Sequence, residues 1–189
     1  MEYTGKDYIL TSNRDQFKAD TVINCAGLCS DTVCALPGID IDACGYRLHP
    51  CKGEYYGLRR AIPLRHLVYP LPGPSGTLGI HVTPDISGRL HLGPNAYEVN
   101  TINYEIDSRY HETFYLSVRR FLPDLQPSDI YPDFAGIRPR LQKLSEPVRD
   151  FVISEASGQG FPRFINLIGI ESPGLTSCLA IADYVKGII

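Results

Sequence analysis

Three rhythms of apolar and polar positions run along the chain. Residues 7–11 (DYILT) form a short apolar run that predicts a strand, followed by the polar turn SNRDQ. Residues 21–25 (TVINC) are apolar and β-branched without alternation, which predicts a strand buried on both faces, as in a parallel sheet. Gly27 ends that strand, Ser30 is placed to cap a short helix SDTVCAL, and Pro37-Gly38 closes it. From about Cys44 to Leu92 the pattern changes to short alternating segments, KGEYYGL, RHLVYPL, TLGIHVTP and GRLHLGP, the rhythm of an antiparallel sheet. Tyr110, Phe114, Leu116 and Phe121 recur at roughly helical spacing and predict an amphipathic helix before Pro123. The stretch PSDIYPDFAGIRPRL reads as loop because of its prolines and glycine. Residues 150–156 (DFVISEA) and the run INLIGI predict two more strands, the second leading through a Ser-Pro-Gly turn into a helix that reaches Val185.

The chain is thus expected to begin and end in doubly wound, parallel-type material with an antiparallel sheet set between. That is an α/β (α+β) fold, a nucleotide-binding domain interrupted by a substrate domain, with expected bounds 1–43, 44–146 and 147–189. No internal repeat or low-complexity tract interrupts it.

Composition narrows the function. Lys and Arg total 18 against 21 Asp and Glu, without a long run of either sign, so there is no electrostatic footprint for nucleic acid or an anionic membrane. No apolar run approaches the length of a spanning helix, and the first residues lack a signal-peptide pattern, so the expected location is cytoplasmic, at most peripheral to a membrane. Six cysteines, at 25, 29, 34, 44, 51 and 178, include no C-x-x-C pair and read as small core-type thiols rather than metal ligands or disulfides. G-x-S-x-G and Walker-type loops are absent, and Asp40 and Asp42 read as solvated turn residues.

A doubly wound nucleotide-binding domain would carry G-x-G-x-x-G between its first strand and helix, and no such run exists; GPSGTLG and GQGFPRF lead into no helix. In order along the chain, however, VINCAGLCSD, KGEYYGL, LVYPLPGP, LGIHVTPDISGRLHLGPNA, FAGIRPRL and INLIGIESPGLTSCLAIADYV resemble the C-terminal half of flavin-dependent oxidoreductases of the D-amino-acid oxidase superfamily. The resemblance is nearest to the L-2-hydroxyglutarate dehydrogenases and oxidases, and it covers about Ala19 to Val185. It implies a C-terminal portion comprising the distal part of an FAD-binding domain and much of a substrate domain, with the glycine fingerprint upstream. FAD is the implied cofactor of the intact protein, and the isolated residues are expected to retain little of it and to be inactive. The implied reaction is oxidation of L-2-hydroxyglutarate to 2-oxoglutarate, with electrons passed to a quinone, another carrier or oxygen. Alternatives are an amino-acid or glycine oxidase, a glycerol-3-phosphate dehydrogenase, or a fragment without catalysis that self-associates as a homo-oligomer through the surface its missing part would cover.

The resemblance also assigns residues. Glu171, Ser172, Pro173, Gly174, Leu175 and Thr176 form a turn expected along the flavin's pyrimidine edge, where unpaired N–H groups and a helix start favour the negative charge of the reduced ring, and Gly169 and Ile170 are also expected at the cofactor. Gly174 is expected to let backbone meet the ring closely. The competing reading is a plain capped helix, with Ser172 as cap and Pro173 in its first position. Ala26 and Gly27 are expected against the cofactor's adenosine and pyrophosphate. Arg138, in GIRP, is implied to fork the α-carboxylate of a 2-hydroxy or 2-amino acid, with Ser172 and Tyr55 also at the substrate. Lys52 stands where many relatives have arginine, and of Tyr55 and Tyr56 only one can face the cavity. Removal of a hydroxyl proton calls for a histidine; His81 ranks first, then His49, among a pool that also holds His66, His91 and His111.

Overall fold

The computed structural model describes residues 1–71 and 79–189. Residues 72–78, which carry most of GPSGTLG and the ends of LVYPLPGP and TLGIHVTP, lie outside the described residues. In chain order the strands are β1 (Glu2–Tyr3), β2 (Tyr8–Thr11), β3 (Gln16–Ala19), β4 (Val22–Asn24), β5 (His49–Leu58), β6 (His81–Pro84), β7 (Leu90–Gly93), β8 (Tyr97–Glu98), β9 (Ile130–Arg140), β10 (Val152–Ala156) and β11 (Phe161–Ile168). The helices are α1 (Ser30–Ala35), α2 (His111–Val118) and α3 (Cys178–Lys186). The class is mixed α/β, and the residues divide into two compact units: Met1–Pro50 with Arg138–Ile189, and Cys51–Ile137.

In the first unit β4 pairs in parallel with β11, which pairs antiparallel with β10. The beginning of the chain departs from the doubly wound expectation, because β1, β2 and β3 form an antiparallel meander. Strand β3 was hidden in the sequence, since its QFKA side chains are mostly exposed and carry no apolar run. The expectation that residues 21–25 are buried on both faces also fails: Val22 and Asn24 point inward, while Ile23 is 43% exposed. The inward row is partly polar, with Asn24 Nδ2 donating to Asn166 Oδ1 at 2.9 Å across the β4–β11 pair. Ser30 does not cap α1. A 3-10 turn over Gly27–Cys29 runs straight into the helix, so the Ser30 N–H already bonds the Gly27 carbonyl and its side chain is buried.

Tyr8, Cys34, Phe164 and Ile168 anchor the core of this unit. The Tyr8 hydroxyl donates to the Pro162 carbonyl at 2.9 Å, and burial pushes its phenol up to about 12. A folded-state value above the unfolded one means stability is intact below the free tyrosine range near 10 and drains as pH climbs toward 12. Denaturant midpoints should therefore fall between pH 10 and 12, and Tyr8→Phe should fall less steeply; equal slopes for both proteins would refute this source of the alkaline loss.

The second unit is the expected antiparallel sheet, with strands in the order β6, β7, β5, β8 and β9 also pairing with β5. Its core holds Tyr56, Val82, Leu92, Phe114 and Val118. In α2 the buried face is Phe114 and Val118, four residues apart, whereas Leu116 is 47% exposed, so the helix presents a narrower stripe than its sequence suggested. The loop expected over PSDIYPDFAGIRPRL is instead strand β9 from Ile130 onward. Its pairing is to β5, an edge arrangement that tolerates the missing donors of Pro132 and Pro139.

Candidate active site

The first unit brings Arg138 and the turn after β11 together. Arg138 Nη1 lies 4.0 Å from Glu171 Oε2, and Arg140, two residues along β9, places Nε 3.4 Å from Glu171 Oε1. The Arg138 side chain is 49% exposed, against 14% for Arg140 and 15% for Glu171. Between those arginines and the turn the backbone is fixed by contact: Gly169 has φ +73°, and a Cβ there would come within 2.4 Å of Leu141 Cγ. The end of β9 and the exit of β11 therefore interlock through a position that only glycine can fill.

The helix start lies farther along than the sequence placed it. Residues 172–177 form consecutive turns, and α3 begins at Cys178 after Ser177, whose side chain makes no capping bond to an N–H. Ser172 is exposed, precedes a cis bond to Pro173 and is not an N-cap. The Gly174 N–H bonds the Glu171 carbonyl at 2.6 Å and the Ser177 N–H bonds that of Pro173 at 3.1 Å. The N–H groups of Leu175 and Thr176 have no acceptor among the described residues, and both residues are exposed. Gly174 is required by its own turn, since a Cβ would meet Ile170 Cγ2 at 2.4 Å and the Glu171 carbonyl at 2.7 Å.

An apolar cleft of about 530 Å³ lies beside α3, lined by Ile23, Gly27, Ile170, Gly174, Cys178 and Val185 among others. Three of the residues assigned to a cofactor thus share one cavity. Gly27 is exposed, has φ +56° and has nothing within 4 Å of where a Cβ would stand, so a ligand can approach that side of it. Ala26 lines a separate cavity of about 300 Å³ and spends its N–H on Asn24 Oδ1 at 3.2 Å. Bare donors at 175 and 176 and the clear approach at Gly27 fit the polar parts of a flavin nucleotide.

In the second unit His81 is buried and stacks on Tyr69 with ring centroids 4.4 Å apart. Its Nδ1 is 3.0 Å from the Gly79 carbonyl, which can only accept, so Nδ1 carries the proton and Nε2 is the basic nitrogen. His91 differs: Nδ1 contacts Asp133 Oδ2 at 2.8 Å and Nε2 contacts Asp85 Oδ2 at 3.3 Å, which commits both nitrogens to structure. The Ser87 hydroxyl first, then the Arg89 N–H and His91, hold the Asp85 carboxyl well below the usual carboxylate range against the opposing effect of burial. Tyr56 is fully buried in the core, while Tyr55 stacks on Phe134 with centroids 4.4 Å apart.

Lys52 is no open cation. It is buried, donates to the Glu105 carbonyl and lies 3.5 Å from Glu54 Oε1. Glu54, with no exposed side chain surface, also accepts from Tyr97 Oη at 2.7 Å, the Asp107 N–H at 2.9 Å and Asn95 Nδ2 at 3.2 Å. Burial first, then the bond to Glu54, pushes the Tyr97 phenol up. Sequence reasoning missed Glu54 and Arg140. The alternation of β5 carried no sign that an acidic side chain would be inward, and nothing local linked Arg140 to Glu171.

The model of the FAD dependent oxidoreductase (DAO) family matches residues 2–187. A mitochondrial L-2-hydroxyglutarate dehydrogenase of Arabidopsis thaliana is 36% identical over 181 residues, which is 87% of this chain and 36% of that protein. A glycerol 3-phosphate dehydrogenase of Caloramator mitchellensis is 31% identical, over 96% of this chain and 36% of that protein. Among solved structures, the FAD-bound L-alpha-glycerophosphate oxidase of Mycoplasma pneumoniae superposes with a TM-score of 0.77 at 22% identity, over 99% of this chain and 48% of that one. The chain spans between about a third and half of the length of such relatives. No helix among the described residues is long and apolar enough to cross a membrane.

Proposed function

Because the chain belongs to the FAD-dependent oxidoreductase family, we propose that these residues serve the oxidation of a small 2-hydroxy acid to its 2-oxo acid, with L-2-hydroxyglutarate as the foremost substrate. The observation that carries the reading is the approach of Arg138 to Glu171, which sets a half-exposed guanidinium at the mouth of the donor-bearing turn. The names of several relatives, L-2-hydroxyglutarate dehydrogenases at 26–36% identity, support the substrate.

Arg138 grips the α-carboxylate through paired N–H donors, a geometry that lysine cannot reproduce. The N–H groups of Leu175 and Thr176 offer fixed dipoles to developing negative charge. FAD, when bound, takes up the two electrons, for delivery to a quinone, another carrier or oxygen. The hydroxyl proton is assigned to His81 Nε2, the basic nitrogen of a ring whose tautomer the Gly79 carbonyl fixes.

The deciding experiment is anaerobic bleaching of the flavin in the loaded protein by a panel of 2-hydroxy and 2-amino acids. Bleaching by L-2-hydroxyglutarate supports the proposal, and bleaching by amines alone replaces it with an amino-acid oxidase. His81→Gln should lower the bleaching rate with 2-hydroxy acids by about 10²-fold. An unchanged rate would remove His81 as base and favour the amine reading, since a neutral amine needs no strong base.

A further inference from the structure

We propose that Arg140 is a positioning residue that holds the Glu171 carboxylate off Arg138 and so keeps the carboxylate anchor open. The inference rests on reading Arg138 as the anchor. Alternation along β9 puts residues 138 and 140 on the same side of the strand, and the single carboxylate of Glu171 sits between their guanidinium groups. The shares are unequal. Arg140 is the nearer partner, at 3.4 Å, and it and Glu171 are both largely shielded from solvent. Arg138 is looser, at 4.0 Å, and half exposed, so water screens its attraction to Glu171.

Two guanidinium groups facing one carboxylate leave a surplus of one positive charge, which matches one incoming carboxylate. The surplus stays on Arg138 only while Arg140 neutralises Glu171. Arg140 Nε is buried and makes no hydrogen bond, so the contact is one of charge rather than a closed fork, and it restrains Glu171 without locking it. Without Arg140, a shielded Glu171 would need another cation, and Arg138 is already within 4.0 Å. The two would close into a pair, and every ligand carboxylate would then compete with an internal one at high effective concentration. Backbone shifts cannot relieve this, because Leu141 against Gly169 and Ile170 against Gly174 fix both supporting segments.

The test is site-resolved modification of arginines by phenylglyoxal in the 189-residue chain, read by peptide mass spectrometry, with exposed Arg14 and Arg65 as references. Arg138 should react several-fold more slowly in Arg140→Met than in the wild type, at the wild-type rate in Arg140→Lys, and at least at the wild-type rate in Arg140→Met with Glu171→Gln. An unchanged or faster Arg138 in Arg140→Met, with the references steady, overturns the proposal. So does slow reaction in the double variant. If circular dichroism shows that Arg140→Met has unfolded, Glu171→Gln alone decides: Arg138 must react at least at the wild-type rate, and slower reaction overturns the proposal. In the FAD-loaded protein, Arg140→Met should weaken 2-oxoglutarate binding measured by calorimetry about tenfold. If the reactivities follow this pattern while 2-oxoglutarate binds to no variant, the positioning role stands and the substrate reading falls.

Discussion

Replacing Arg138 by alanine should lower kcat/KM for the 2-hydroxy acid on the order of 10³-fold while leaving the amount of bound FAD unchanged. The expected loss is large because, of the two guanidinium groups that the described residues set against Glu171, Arg138 is the looser, at 4.0 Å against 3.4 Å for Arg140, and the more exposed, so it is the one open to a ligand carboxylate. Removing it deprives the substrate's carboxylate of two charge-assisted bonds, about 4 kcal/mol at this factor. Arg138→Lys should recover little, since a point charge does not reproduce the fork. Flavin absorbance of the purified variant supplies the control. Loss of FAD with the substitution would show that Arg138 serves the cofactor, and the anchor would have to be sought elsewhere.

The second large effect is on stability. Glu54→Ala should lower the unfolding free energy by about 4 kcal/mol, measured by urea denaturation followed by circular dichroism. The buried carboxylate is the hub of a partly buried network in the second unit, accepting from Tyr97, Asn95 and the Asp107 N–H while neutralising Lys52. Alanine would strand a shielded ammonium and leave three donors without an acceptor. The damage would spread along the chain, because the Asp107 side chain accepts from the Arg109 N–H at 3.0 Å and opens the turn that leads into α2. Glu54→Gln, which keeps an acceptor but no charge, should lose less. A loss below about 1 kcal/mol in Glu54→Ala would mean that Lys52 finds water or another partner, and the network would not deserve its central place.

What the sequence disclosed and what it hid divide along physical lines. Strand β4, the turn at Gly27 and helix α1 were legible because their signals are local: a β-branched run, a glycine and a short helical stretch. The antiparallel sheet of the second unit was legible for the same reason. Strand β9 was misread because Pro132, Gly136 and Pro139 are loop formers by local preference, and only pairing with β5 overrides them. The sites depend still more on distant partners. Arg138 could be singled out by its motif, but Arg140 meets Glu171 thirty-one positions away, and Glu54 meets Asn95, Tyr97 and Asp107 across forty or more. An acidic residue in a strand reads as outward-facing until its partners are known. The delayed start of α3 had no signal at all, since Ser172-Pro173 has the chemistry of a helix entrance and is held as turn instead.

The interlock of Leu141 with Gly169 has a corollary for which acids such a protein could accept. Because side-chain packing rather than a mobile loop sets the gap between guanidinium and donor turn, that gap works as a ruler. It would measure the span from a carboxylate to the atom that changes oxidation state and ignore whatever lies beyond. Change in this lineage would then come easily in the tail of the substrate and hardly ever in the position of its reacting carbon.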